Sequence, residues 1–167
     1  MRLVLDTNVV IDWLVFDDPF LSSFREQVRS RSVQVISHAP ALEELRRVLG
    51  YPVLKLDAQR QAAVLEQYVA LASFFEGGGS AAGDGSLAEL PRGFPRCRDS
   101  DDDPFLHLAW RARADALVSR DKAVLKLARR ARKFGFEIYD VPKMVAVLGA
   151  SAERPSVVPT LLSGETH

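Results

Sequence analysis

The sequence predicts an α/β protein, a three-layer α/β/α sandwich around a central, mainly parallel sheet. Short apolar runs alternate with amphipathic stretches of helical period, the pattern of βαβ units. A parallel sheet of this kind is covered on both faces, and its crossovers put the carboxyl ends of the strands on one edge, where sites form. The 167 residues, 47% hydrophobic and 26% charged, suit one domain with one core. A domain of this size buries roughly two-thirds of its unfolded surface and needs no disulfide or structural metal.

Residues 2–5 (RLVL) read as a short buried strand ending at Asp6. Val9, Val10, Trp13 and Leu14 then recur at helical spacing. Asp17, Asp18 and Pro19 break that helix, and Pro19 suits the start of the next, over 20–30. A β-branched strand follows at 33–36, and Ala41, Leu42, Leu45, Val48 and Leu49 mark a third helix. A long helix is expected over 57–75, with Ala62, Leu65, Val69 and Ala72 on one face. The Gly-rich run 77–86 reads as a flexible loop inside an insertion or hinge over 76–96. Beyond it come a helix over 100–113, a strand over 116–119, a helix over 123–132, a strand over 136–139 and a closing helix over 142–148. The organisation expected is one domain, 1–149, carrying the 76–96 insertion, followed by a flexible tail, 150–167.

The single cysteine, Cys97, excludes an internal disulfide and reads as structural, since no base is evident beside it. That usage fits a reducing cytoplasm, the expected location. No secretory h-region and no run of about 18 apolar residues is present, so a membrane span is not expected. The 22 basic and 22 acidic residues cancel, whereas a plain nucleic-acid binder is usually basic. The distribution is uneven. Basic residues crowd 111–133, and Asp99, Asp101, Asp102 and Asp103 form an acidic knot before them.

Asp6 and Asp121 each follow an apolar strand and should project at the same sheet edge. Each could instead cap the helix behind it. Glu43 precedes Arg46 and Arg47 by three and four residues and belongs to a solvated face. Glu44 shares the apolar side with Ala41 and Val48, where a carboxylate is costly unless a cation compensates. Asp102 heads the stripe of Phe105, Leu106 and Ala109, whereas Ser100 and Asp103 match a capping box. Asp99 and Asp101 stay open as helper acids. Four carboxylates in one cleft, Asp6, Glu44, Asp102 and Asp121, repel one another unless a cation intervenes. Oxygen-only ligands favour Mg²⁺ or Mn²⁺ over Zn²⁺. Such a centre polarises a phosphoryl oxygen and acidifies bound water, so the expected substrate is a phosphodiester. Arg120, Lys122 and Lys126 are candidate contacts to a nucleic-acid backbone, with a solvated surface helix as the open alternative. His38, His107 and His167 are scattered, with His107 expected at the surface, and none is expected to be catalytic.

LDTNVVID at 5–12, the acid in SHAPALEELRRVL, CRDSDDDPFLHLA and ALVSRDKAVL together resemble the PIN domain, most closely the VapC-like toxin branch of bacterial toxin–antitoxin pairs. The similarity covers residues 1–148. It implies that Asp6, Glu44, Asp102 and Asp121 are the catalytic acids, with polar helper roles for Asn8 and Ser119. It further implies Mg²⁺- or Mn²⁺-dependent cleavage of single-stranded RNA, homodimers and inhibition by a cognate antitoxin protein. Two departures stand out: Pro104 after the acidic run, where relatives carry a basic or polar residue, and a longer Gly-rich insertion before Cys97. Two other readings remain. One is a binding module whose acids hold a cation or a basic antitoxin segment without turnover. The other is a phosphoacceptor domain with Asp6 as nucleophile, which needs an Asp where Asn8 stands.

Overall fold

The computed structural model describes residues 1–76, 90–98 and 103–152. Its first half runs β1 (Arg2–Leu5), α1 (Thr7–Leu14), α2 (Ser22–Arg29), β2 (Gln34–Ser37), α3 (Ala39–Leu49), α4 (Ala58–Leu71) and β3 (Ala72–Phe74). Its second half runs α5 (Asp103–Arg111), β4 (Ala116–Val118), α6 (Lys122–Leu125), α7 (Ala128–Ala131), β5 (Glu137–Tyr139) and α8 (Val141–Ala152). Among the described residues the sheet has the order β3-β2-β1-β4-β5, and every pairing is parallel. The expected mainly parallel sheet is therefore parallel throughout.

Alternation along the strands divides the core. Leu3, Leu5, Val35, Ala116 and Val118 face one layer, built from α1, α2, α4, α8 and the later part of α3. Val4, Ile36, Leu117 and Ile138 face the other, with Phe105, Leu106 and Ala109 of α5. β1, β2 and β4 are largely buried, which is why they read as apolar runs rather than alternating ones. Each fully buried Leu or Val contributes roughly 1.5–3 kcal/mol relative to exposure, so both layers are strongly held to the sheet. From β1 the sheet grows through β2 to β3 on one side and through β4 to β5 on the other. The switch point lies between β1 and β4, and a crevice outside their carboxyl ends is the place for a ligand.

Several elements depart from expectation. The helix expected over 57–75 ends at Leu71, because Ala72 turns extended (φ −90, ψ 147) and pairs with Val35 of β2. The apolar spacing runs on across that boundary, and no Gly or Pro marks it; strand pairing overrides helical propensity. Asp18 caps a 3-10 turn at Pro19–Leu21 before α2 begins, so the helix expected over 20–30 is two pieces. The helix expected over 123–132 is likewise split into α6 and α7. The closing helix continues beyond Leu148 to Ala152, into the segment expected to be tail. Residues 77–89, with most of the expected insertion, lie outside the described residues, as do 153–167.

The end of that insertion is core. Phe94 is 5% exposed, with its ring 5.7 Å from His107, 5.7 Å from Trp110 and 5.2 Å from Phe134. It pins the chain ahead of α5 to the core. Phe94→Leu keeps most of the volume but loses the ring geometry, and should cost about 1 kcal/mol. A urea midpoint equal to that of the wild type would show that the cluster adds nothing beyond apolar volume.

Candidate active site

Asp6 leaves β1 in extended conformation (φ −66, ψ 150). Its backbone is anchored on both sides: its N–H donates to the Val118 carbonyl at 2.9 Å, and its own carbonyl accepts from Val9 and Val10. The carboxylate is therefore held at the carboxyl edge, next to β4. It is 5% exposed. Its Oδ2 accepts from Asn8 Nδ2 at 2.8 Å and from Ser119 Oγ at 2.5 Å. Burial pushes its pKa up, and hydrogen bonds from Ser119, from the Asn8 side chain and from the Asn8 and Thr7 backbone pull it only partly back.

Ser119, wholly buried after β4, joins two of the expected acids. Its Oγ donates to Asp6 and accepts the Asp121 N–H at 2.9 Å. Asn8 makes a second bridge, since its Oδ1 accepts the Arg120 N–H at 3.3 Å. The loops after β1 and β4 are thus stitched together across the switch point. Asp121 itself is exposed and its Oδ1 caps α6 by accepting the Ala123 N–H. The capping alternative holds for this residue, and it also fixes where the carboxylate sits.

Glu44 is half-buried on α3, while Glu43 is exposed and pairs with Arg46 at 3.2 Å. The two faces of the helix separate them as the spacing predicts. α3 packs on α1, which follows Asp6, and on α5, which follows the acidic run. Asp99, Asp101 and Asp102 lie outside the described residues. The stripe that Asp102 was expected to head is buried at Phe105, Leu106 and Ala109. Asp103, the first residue of α5, accepts the Cys97 N–H at 2.7 Å.

Arg120, expected at the substrate, holds its guanidinium against its own chain. Its Nε lies 2.5 Å from Asp12 and its Nη2 3.5 Å from Asp18. Desolvation raises the Asp12 pKa, and Arg120 opposes that. Sequence reasoning passed over Asp12. The available signal was its position four residues after Asn8, on the same face of α1. Lys122 and Lys126 are exposed. His107 is half-buried rather than at the surface, because the Phe94 ring covers it. His38 is buried and accepts the Ala41 N–H on Nδ1 at 3.3 Å. Desolvation lowers its pKa to about 4, so it is neutral at neutral pH.

Among the described residues, no three Asp, Glu, His or Cys side chains form a group able to hold a metal ion. The donors that are present fit a hard cation in kind. Asp6, Asp121 and Glu44 offer carboxylate oxygens, which suit Mg²⁺ or Mn²⁺. Asp6 also carries a reason to take one: hydrogen bonds alone do not offset its desolvation, and an adjacent positive charge favours the ionised form. Among the described residues no helix is long and apolar enough to cross a membrane.

A family model described as the PIN domain matches residues 2–123. Neither the curated proteins nor the solved structures gave a significant match. The matched span begins at β1 and runs through Asp121, so it takes in both stitched loops and most of the sheet. PIN domains are generally metal-dependent nucleases. With its parallel sheet between two helical layers, this chain belongs to the PIN domain family.

Proposed function

We propose that the chain is a Mg²⁺- or Mn²⁺-dependent endoribonuclease, the toxin of a toxin–antitoxin pair. The observation that carries the reading is the Asp6–Ser119–Asp121 bridge across the β1/β4 switch point of a PIN domain. Asp6, Glu44, Asp102 and Asp121 would hold the ion, with Asn8 and Ser119 orienting Asp6 and Asp99 or Asp101 as helper acids. A bound divalent ion supplies Lewis acidity toward a phosphoryl oxygen and a more acidic water. The chain's part is to fix its carboxylates in place and to present Lys122 and Lys126 to the RNA backbone. A homodimer and a cognate antitoxin are the proposed assemblies, and the cytoplasm the proposed compartment.

The test is cleavage of end-labelled single-stranded RNA with Mg²⁺ or Mn²⁺. Internal cuts leaving a 5′-phosphate, abolished by EDTA and restored by excess metal, are expected. No cleavage by the wild type with either metal would sink the proposal. Tight binding of an Arg-rich peptide under those same conditions would then favour the acid cleft as a binding module.

A further inference from the structure

A cavity of about 210 Å³ opens between the start of α3 and α5, lined by His38, Pro40, Phe75, Pro104, His107 and Arg111, among others. Its place beside the acids follows from strand register. Val4 pairs with Ile36 in the parallel β1–β2 ladder, so Asp6 and His38 leave neighbouring strands at the same level, about 5 Å apart along the hydrogen-bonding direction. On the opposite wall stands Pro104, in the first turn of α5. The cavity is smaller than the ~300–1,000 Å³ typical of drug-sized ligand sites. A volume of about 210 Å³ matches one planar ring system better than a whole nucleotide.

The walls have matching chemistry. Phe75, the two prolines and the imidazoles offer flat surfaces of the kind on which unstacked RNA bases settle. His38 Nδ1 already accepts the Ala41 N–H, so the neutral ring carries its proton on Nε2 and is a donor there. Arg111, also on the cavity wall, adds guanidinium donors. A wall rich in donors suits a base edge rich in acceptors. Guanine, with O6 and N7 side by side, is the base that an arginine fork reads best.

We propose that this cavity receives one unstacked base of the RNA strand, with guanine preferred, and thereby sets which phosphate reaches the acids. The inference rests on the nuclease reading for its purpose, but its test does not need cleavage. Binding of labelled poly-A strands carrying one central G, U, C or A is measured by fluorescence anisotropy in EDTA, using the full chain. The G-containing strand should bind about tenfold tighter than the all-A strand. Arg111→Gln should bring that preference to within about twofold. Phe75→Ala, at a half-buried position, should weaken all four strands together by loss of stacking. Equal affinity for the four strands, or a preference that survives Arg111→Gln, overturns the proposal. Displacement of the strand by free GMP at equal concentration also overturns it, by marking a free-nucleotide site. A wild type that prefers guanine in EDTA yet cuts nothing with Mn²⁺ would sink the nuclease reading alone.

Discussion

Asp6→Asn is expected to reduce metal-dependent RNA cleavage by more than the ~10–100-fold that losing an outer partner of a metal ligand costs, without loss of the fold. The isosteric amide keeps an oxygen for the Asn8 and Ser119 donors and gives up only the charge. That charge is unfavourable to the folded chain, because desolvation outweighs the hydrogen bonds made to it. The variant should therefore unfold at equal or higher denaturant concentration than the wild type in EDTA. Sites built from buried charge commonly trade stability for function in this way. An inactive variant with a lowered midpoint would show instead that Asp6 is structural.

The pH dependence separates the two roles further. The folded pKa of Asp6 is raised above its ordinary value of 3.8. Between the ordinary and the raised value the folded state binds more protons than the unfolded state, so stability falls as pH rises through that window. Asp6→Asn cannot titrate and escapes this loss. In EDTA the stability difference should move in favour of the variant as pH climbs from about 4, then level off above the raised pKa. Saturating Mg²⁺ should narrow the difference, because an ion that binds only the folded wild type stabilises it.

Burial leaves a period in the sequence, and part of what rests on burial was legible there. The Asp6 position, the separation of Glu44 from Glu43 and the α5 stripe all follow from which side of an element meets the core. β3 was not legible: three residues at a sheet edge prolong the apolar spacing of α4, and only their pairing with β2 makes them a strand. Phe94 was hidden by the Gly-rich composition before it, although its burial is among the contacts that fix the approach to α5. The engagement of Arg120 by Asp12 and Asp18 joins residues more than a hundred positions apart, and no local pattern announces such a pair. Ser119 and Asn8 stand between these cases. Their polarity was visible, but their work as bridges depends on the β1–β4 register.

Ser119 is the position where that work should be most measurable. Its hydroxyl is wholly buried, donating to Asp6 Oδ2 and accepting the Asp121 N–H. Ser119→Ala leaves the Asp121 amide without this partner and Asp6 with one fewer donor. The expected destabilisation is about 1–3 kcal/mol, read from denaturant unfolding. Cleavage should fall by about 10–100-fold, as for other partners that orient a metal ligand. The pH profile distinguishes orientation from simple loss of stability. The Ser119 bond is the largest influence lowering the Asp6 pKa; without it the carboxylate ionises at higher pH, and the acidic limb of the rate profile should move upward. Ser119→Thr keeps the hydroxyl and should return the limb to its wild-type position, even if the added methyl costs stability in so tight a place. A profile that does not move in Ser119→Ala would reduce the serine to packing.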